Sequence, residues 1–381
     1  MTIETLLKAS IDKGASDLHL KVGAAPMIRV NGLLRPLEGF PKLNQESVVQ
    51  LSAAVMNPVK KAEFKENREI DLAYSAAGLG RFRVNIFLQR GTIGAAFRVI
   101  PVKISSIEEL LLPPVLEKLA LEQRGLIVVT GTTGSGKSTT LASMIDTINQ
   151  NRAANIITIE DPIEFLHRDK KGIVSQREVG ADVDSFDKAL RSALRQDPDV
   201  ILVGEMRDFE TISTALTAAE TGHLVLSTLH TLDTTETINR IISVFPPYHQ
   251  DQIREQLASV IRGSISMRLI PRADQEGRVP AVEVMVATQT IREAVIHPEK
   301  TRNISTIISA GKSQYGMQTF DQSIFDLYEA GRVSYDEALK WTSNPDDFAL
   351  KVKGVQTTGE SWKESQDKKQ DDAPEFEIER F

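Results

Sequence analysis

A glycine-rich segment that follows an apolar run places the tightest limit on how this chain can fold. The run is Leu-Ile-Val-Val-Thr at residues 126–130, and the segment, Gly-Thr-Thr-Gly-Ser-Gly-Lys-Ser, occupies residues 131–138. A short run of apolar and β-branched residues predicts a buried parallel strand. Residues 137–149 carry apolar side chains at helical spacing, which predicts a helix. The sequence therefore predicts a strand, a glycine loop and a helix in succession.

That succession suits the binding of a phosphate chain. Glycines allow backbone amides to turn toward phosphate oxygens, and the helix N-terminus adds roughly half a positive charge. We expect Lys137 to reach the β- and γ-phosphates and Ser138 to bind Mg²⁺. We favour this site for a nucleoside triphosphate over the alternative, a glycine-rich loop that binds nothing. The predicted nucleotide-binding residues are Gly131, Thr132, Thr133, Gly134, Ser135, Gly136, Lys137, Ser138 and Thr139.

Composition narrows the remaining classes of protein. The chain has 381 residues, which predicts two or three domains, and its 41% hydrophobic content is enough to build their cores. Its lack of cysteine excludes disulfides and thiolate zinc sites. No run approaches the ~18 apolar residues of a membrane-spanning helix, and we expect no signal peptide. The net charge of −7 argues against nucleic acid as a partner.

Residues 1–100 have the pattern of a small α+β domain. The Asn-Gly pair at 31–32 lies between two apolar runs and predicts a tight hairpin turn. Residues 80–87 alternate apolar and polar side chains, which predicts a strand with one apolar face, and residues 94–100 predict its partner. Prolines then mark a linker over residues 101–115.

Residues 116–290 alternate predicted strands and helices, which favours an α/β core with a parallel sheet covered on both faces. One helix is predicted from the N-cap Ser185 to about residue 196, and another over residues 209–221. Residues 291–353 predict short amphipathic helices. Residues 354–381, with 8 acidic and 4 basic side chains, predict a disordered acidic tail. The predicted strands are 126–130, 156–160, 200–203, 224–228 and 281–286, and the C-terminal helices lie near 301–310, 320–330 and 334–342.

Two acidic groups follow predicted strands, at the edge where open parallel sheets bind ligands. The first group, Glu160, Asp161 and Glu164, would position Mg²⁺ or an attacking water; alternatively it is a solvated turn, because Asp-Pro favours turns. The second is Glu205, which would act as the general base for that water, or would merely end a strand. We favour a catalytic role for both groups.

Two histidines and three arginines are further candidates. Over an extended segment, His223 and His230 would lie about 23 Å apart on opposite faces, which excludes a shared metal site. One of them would sense the γ-phosphate while the other contacts a neighbouring element; the alternative for each is a structural histidine. Arg81, Arg83 and Arg98 could supply the arginine that stabilises a transferring phosphoryl group, or they form a solvated face of the sheet.

An ordered series of motifs resembles the secretion ATPases of the type IV pilus and type II secretion family. The similarity extends over roughly residues 1–350. Besides the glycine loop, the matching segments are Ala-Ser-Asp-Leu-His-Leu (15–20), Ile-Thr-Ile-Glu-Asp-Pro-Ile-Glu-Phe (157–165), Val-Gly-Glu-Met-Arg-Asp (203–208), Thr-Ala-Ala-Glu-Thr-Gly-His (217–223), Thr-Leu-His-Thr (228–231) and Gly-Met-Gln-Thr-Phe-Asp-Gln (316–322).

The resemblance implies ATP and Mg²⁺ as ligands, a PAS-like N-terminal domain, a RecA-like P-loop core and a helical C-terminal region. It implies a homohexameric ring in which Arg81 and Arg98 reach a nucleotide held by a C-terminal domain. It also implies a cytoplasmic protein, peripheral to the inner membrane at the pilus base and attached only through partners such as the pilus platform protein. The implied catalytic set comprises an aspartate box (Glu160, Asp161, Glu164), a Walker B segment ending in Glu205, and a histidine box (His223, His230).

Within this family the chain resembles the retraction branch. Extension ATPases typically carry a longer N-terminal domain and a tetracysteine zinc element, and this chain has neither. Retraction ATPases typically carry Ala-Ile-Arg-Asn-Leu-Ile-Arg-Glu near the C-terminus, of which residues 290–297 keep only Ile291 and Arg292; Thr132 also replaces a common proline. We therefore expect a motor that couples ATP hydrolysis to pilus retraction and twitching motility. The alternatives are an accessory retraction ATPase beside a paralogous motor, a non-catalytic nucleotide-binding adaptor, and a DNA translocation motor.

Overall fold

The structure, a computed structural model, describes residues 1–354, and the predicted acidic tail lies outside the described residues apart from Gly354. Internal contacts group the described chain into two compact units. One comprises residues 1–106, 120–126 and 138–228; the other comprises 107–119, 127–137 and the described residues from 229 onward. The predicted domain limits at 100, 115, 290 and 353 stay predictions. None of the helices in residues 1–354 has the length and apolar character that crossing a bilayer requires.

Three helices and six strands precede residue 100. They are α1 (Ile3–Asp12), β1 (Asp17–Lys21), β2 (Met27–Val30), β3 (Leu33–Pro36), α2 (Gln45–Ala54), α3 (Pro58–Asn67), β4 (Glu69–Ala76), β5 (Gly80–Gln89) and β6 (Thr92–Val99). The strands form one antiparallel sheet in the order β3-β2-β1-β6-β5-β4.

The predicted hairpin and the predicted alternating strand are both confirmed in this sheet. Asn31 and Gly32 have φ angles of 50° and 80°, which a tight turn between β2 and β3 requires. On β5, Phe82 and Val84 are fully buried while Arg81 and the other polar residues point the opposite way. This alternation sends Arg81 away from the apolar core of the N-terminal sheet.

The elements of the α/β part of the chain begin at residue 115. They are α4 (Val115–Ala120), β7 (Gly125–Thr130), α5 (Lys137–Asn151), β8 (Asn155–Glu160), β9 (Ile173–Glu178), α6 (Phe186–Ala193), β10 (Val200–Val203), α7 (Phe209–Glu220), β11 (Leu224–Leu229), α8 (Thr234–Ser243), a 3₁₀ turn (Pro247–His249), α9 (Gln250–Val260), β12 (Ile261–Pro271) and β13 (Arg278–Val286). The strands form a seven-stranded sheet in the order β13-β12-β7-β11-β10-β8-β9.

All five predicted strands of this sheet are confirmed, but the expectation of a parallel sheet was wrong at one end. β10 pairs in parallel with β8 and β11, and β8 pairs in parallel with β9. β13, by contrast, pairs antiparallel with β12. The connection over residues 272–277 is too short for a parallel crossover, which needs a dozen residues or more. Two of the seven strands, β9 and β12, were not predicted.

The predicted helices are confirmed with small changes at their ends. Ser185 caps α6 by accepting the Lys188 amide, as expected, although the helix ends at Ala193 rather than near residue 196. Asp208 caps α7 through the Thr211 amide. The C-terminal part is helical as predicted, and its elements are α10 (Gln289–Ile296), a 3₁₀ segment (Pro298–Asn303), α11 (Ile304–Ala310), α12 (Lys312–Tyr315), α13 (Phe320–Glu329), α14 (Tyr335–Trp341) and α15 (Pro345–Val352).

Candidate nucleotide-binding and catalytic site

The glycine loop joins the buried strand β7 to the 15-residue helix α5, as predicted. Gly131, Gly134 and Gly136 have φ angles of 136°, 78° and 100°, which favour glycine. A Cβ on Gly131 would lie 2.5 Å from the Met267 carbonyl oxygen and 2.6 Å from Ser135 Oγ. No side chain fits at this position, so only glycine allows the loop to pack this closely against β12.

Lys137 lies at the first position of α5, with its amine folded over the loop. Its Nζ donates hydrogen bonds to the carbonyl oxygens of Gly131 at 2.8 Å and Thr132 at 3.0 Å. The hydroxyl of Ser135 is buried and has no hydrogen-bond partner among residues 1–354. A cationic amine, a buried hydroxyl and the N-terminus of a long helix form a site whose chemistry fits a phosphate group.

The first acidic group begins where β8 ends. Glu160 is half-buried, and its Oε1 accepts hydrogen bonds from Thr158 Oγ1 at 2.6 Å and Gln176 Nε2 at 3.1 Å. Burial raises the pKa of the Glu160 carboxyl above its ordinary value of 4.5, while the hydrogen bonds oppose that rise. Asp161 and Glu164 are exposed on the segment that follows. The group thus combines one half-buried carboxylate, fixed by two hydrogen bonds, with two exposed ones.

Glu205 follows β10 in a segment that β11 supports. Thr228 Oγ1 donates to the Gly204 carbonyl at 2.6 Å, and the Met206 amide donates to the Thr228 carbonyl at 3.1 Å. The Glu205 carboxylate forms an ion pair with Arg207 at 2.8 Å. The structure therefore places Glu205 beyond the end of a buried strand, as predicted, and adds a cation that sequence reasoning missed.

The two histidines lie at opposite ends of β11. His223 precedes the strand, and its Nδ1 lies 2.9 Å from the Ala218 carbonyl oxygen. His230 follows the strand and is exposed. Leu224–Leu229 is extended, which confirms the prediction that the two imidazoles lie too far apart to share a metal ion.

Of the three candidate arginines of the N-terminal sheet, Arg81 and Arg98 form ion pairs with carboxylates, and Arg83 is exposed. Arg81 Nη2 lies 3.1 Å from Glu178 Oε2, and the two side chains are only 21% and 10% exposed. Arg98 Nε lies 2.9 Å from Asp17 Oδ1, with the Arg98 side chain 69% exposed. Their predicted contact with nucleotide stays a prediction.

Sequence reasoning missed four residues that contact the acidic group, the Ile163 amide within its segment, or Glu205. Thr158, Gln176 and Glu178 lie on the neighbouring strands β8 and β9, and Arg207 lies beside Glu205. A sequence pattern could have revealed the three strand residues, because polar residues two apart lie on the same face of a strand. Thr158 and Glu160 have this spacing on β8, and Gln176 and Glu178 have it on β9.

Comparison with known proteins identifies the family. The model of the type II/IV secretion system protein family matches residues 2–340. The chain is 46% identical over 348 residues to the type IV pilus retraction ATPase PilT of Pseudomonas aeruginosa, covering 91% of this chain and 100% of that protein. It is 41% identical over 357 residues to the type IV pilus ATPase PilU of the same organism, covering 93% of this chain and 92% of that protein.

The solved structures agree with the sequence comparison. The crystal structure of the pilus retraction motor PilT with bound ADP superposes with a TM-score of 0.83 at 44% identity, covering 91% of this chain and 98% of that chain. The Legionella pneumophila ATPase DotB superposes with a TM-score of 0.74 at 28% identity, covering 93% of this chain and 97% of that chain. The resemblance found in the motifs is thereby confirmed, and the chain belongs to the type II/IV secretion system protein family.

Proposed function

We propose that the chain is an ATPase that powers type IV pilus retraction, and hence twitching motility. One observation carries the proposal: the glycine loop, with no room for a Cβ at Gly131 and with Lys137 at the head of α5, occurs in a chain 46% identical to PilT over the whole of that protein. A bound ADP in the PilT structure supports nucleotide as the ligand of this family's loop.

The residues divide the work of phosphoryl transfer. The loop amides and Lys137 bind and orient the phosphates, and Ser138 would hold Mg²⁺, which would neutralise part of their negative charge. Glu205 accepts the proton of the attacking water, a role typically worth ~10²–10⁴-fold in rate. Glu160, with Asp161 and Glu164, orients that water.

The remaining candidates act around this centre in the same proposal. His230 senses the γ-phosphate, and His223 contacts a neighbouring element. Arg81 and Arg98 reach nucleotide when the N-terminal domain closes on a C-terminal domain. This assignment takes the N-terminal sheet as PAS-like and the seven-stranded sheet as a RecA-like core.

We propose that the motor is a homohexameric ring at the cytoplasmic face of the inner membrane. It would reach the pilus base through the platform protein, and a paralogous pilus ATPase could share that base, as the pair PilT and PilU in one organism suggests. Hydrolysis would then move the N-terminal domain on the core about the linker at residues 101–115.

The test compares wild type with Glu205→Gln in steady-state ATP hydrolysis, with nucleotide binding by calorimetry and mass by light scattering. We expect a turning-over hexamer whose rate falls about 10²–10⁴-fold in the variant while binding survives. The control is Glu210→Gln, an exposed acid five residues further along, which should hydrolyse ATP like wild type.

The other outcomes of this experiment separate the alternatives. A well-formed ring that binds ATP without turnover would support the accessory or adaptor role. The 41% identity to PilU is consistent with an accessory role. Turnover that rises on addition of DNA would support a translocation motor instead. Equal turnover in wild type and Glu205→Gln would refute the general-base role of Glu205.

A further inference from the structure

The acidic loop, defined here as residues 160–167, is fixed by one side chain of β9. Gln176 Nε2 donates to Glu160 Oε1 at 3.1 Å and to the Phe165 carbonyl at 2.9 Å. Its Oε1 accepts the His167 amide at 2.9 Å. A single amide group therefore joins the side chain at the start of the loop to the backbone at its end.

A second side chain of β9 fixes the middle of the loop. Glu178 lies two residues after Gln176, so both project from the same face of the strand. Glu178 Oε2 accepts the Ile163 amide at 3.3 Å and the Arg81 guanidinium at 3.1 Å. Arg81 belongs to the N-terminal sheet, so that sheet is linked to the acidic loop through one carboxylate.

The register of β8 and β9 explains why these partners are needed. Thr158 lies opposite Gln176, and Glu160 lies opposite Glu178. Two carboxylates directly opposite each other destabilise a sheet unless donors compensate them. Arg81 provides a cation for Glu178. The side chains that donate to Glu160, those of Thr158 and Gln176, are neutral.

This difference between the two glutamates indicates their roles. A buried carboxylate that serves structure is stabilised by a cation, as Glu178 is. A half-buried carboxylate held by neutral donors is oriented by them, and its oxygens remain able to bind a cation or accept a hydrogen bond from water. The contacts of Glu160 are of this second kind.

We propose that Gln176 and Glu178 are positioning residues, which hold the acidic loop so that the Glu160 carboxylate faces the reacting water, and that Arg81 keeps Glu178 in this role. The proposal rests on the proposed ATPase function. It gives Arg81 a task within its own chain, through Glu178, in addition to any contact with nucleotide. Both positioning residues act through the loop and touch no reacting atom.

The test measures kcat, KM and nucleotide affinity for Gln176→Met and for Ser175→Ala, which changes an exposed residue of the same strand. We expect Gln176→Met to lower kcat roughly 10- to 100-fold, the loss typical of a catalytic group displaced by about 1 Å, with nucleotide affinity unchanged. Ser175→Ala should match wild type in all three quantities.

A double-mutant cycle identifies the residue through which Gln176 acts. In a Glu160→Gln background, Gln176→Met should cause little further loss of kcat, because the carboxylate that it positions is already gone. Full multiplication of the two losses would overturn the proposal, as would wild-type kcat in Gln176→Met. Impaired Glu160→Gln beside unimpaired Gln176→Met would overturn only the positioning role, whereas absence of turnover in wild type would count against the proposed function.

Conservative pairs keep the test informative if Gln176→Met fails to fold. Thr158→Ser retains the hydroxyl that donates to Glu160 and should keep most of kcat, whereas Thr158→Val should lose it. Likewise Glu178→Gln still accepts the Ile163 amide and should stay active, whereas Glu178→Leu should not. Equal activity within both pairs would overturn the proposal.

Discussion

The glycine loop and the acidic loop are held by opposite kinds of contact. The Lys137 amine donates to the carbonyl of Gly131, six residues earlier, so the glycine loop is closed by a side chain of its own. The acidic loop depends on β9 and, through Glu178, on Arg81, which precedes Glu178 by 97 residues. A local motif can be inherited as a unit, whereas a loop built from remote side chains requires the whole fold.

The two loops therefore respond to substitution in different ways. Changes within the glycine loop act at the site of the change, either on ligand binding or on the packing of the loop. Changes that weaken the acidic loop can lie far from it in sequence, and they act on its geometry and its stability.

The largest effect is expected at the centre of the local motif. Lys137→Ala removes the amine that would contact the phosphates, and we expect ATP turnover to fall roughly 10²- to 10³-fold. Steady-state hydrolysis measures the loss, and calorimetry measures the accompanying loss of ATP affinity. Lys188→Ala, at an exposed surface ion pair, is the matched control and should retain activity. Normal ATP turnover in Lys137→Ala would refute the role of the Lys137 amine in phosphate binding.

Two glycine substitutions test how tightly the glycine loop is packed. Gly131→Ala forces a Cβ to within 2.5 Å of the Met267 carbonyl oxygen at a φ of +136°, and we expect a loss of about 3 kcal/mol in the free energy of unfolding. Gly134→Ala, at a φ of +78° with nothing within 4 Å of its Cβ, should cost only about 1 kcal/mol. Chemical denaturation decides, and equal costs would refute the steric argument.

We expect the stability of the protein to depend on pH through His167, at the end of the acidic loop. Burial lowers the pKa of His167 from 6.5 to about 4, so the folded protein keeps a neutral imidazole there. As pH falls through 6.5 the unfolded chain takes up a proton that the folded protein does not, so stability falls until the pH reaches about 4. Guanidinium unfolding at pH 7 and pH 4.5 should differ by roughly 2 kcal/mol more in wild type than in His167→Gln. The exposed His249→Gln should behave like wild type, and an unchanged difference in His167→Gln would contradict the prediction.

The smallest effects distinguish the two arginines. Arg81→Ala leaves a buried carboxylate without its cation, and we expect a loss of about 2 kcal/mol in the free energy of unfolding. Arg98→Ala breaks a pair whose arginine is 69% exposed and should cost less than about 1 kcal/mol. Thermal and chemical denaturation measure the stability of the two variants. Equal losses would contradict the claim that Arg81 supports the acidic loop through Glu178. Full ATP turnover in Arg98→Ala would also exclude its predicted contact with nucleotide.

The parts of the molecule that could be predicted are those whose pattern is local. The strand β7, the glycine loop, the Asn31 hairpin and the Ser185 cap each follow from a few adjacent residues, and the structure has all of them. Glu205 was placed correctly because a continuous apolar run leads directly to it.

The parts that could not be predicted depend on pairing between distant segments. β9 is polar at several positions and has no clear alternation of burial, so neither strand pattern applies to it. The support of Glu160 by Gln176, and the link from Glu178 to Arg81, arise only when β8, β9 and β5 have their final register. No short window of sequence contains that information.

The long separation between Arg81 and Glu178 has a consequence for the order of folding. By loop-closure entropy, joining residues 97 apart costs about 2.5 kcal/mol more than joining residues six apart. The lysine contact of the glycine loop is thus the earlier of the two to become favourable as the chain folds. The support of the acidic loop by Arg81 and Glu178 is therefore a late product of folding, formed after the lysine contact of the glycine loop.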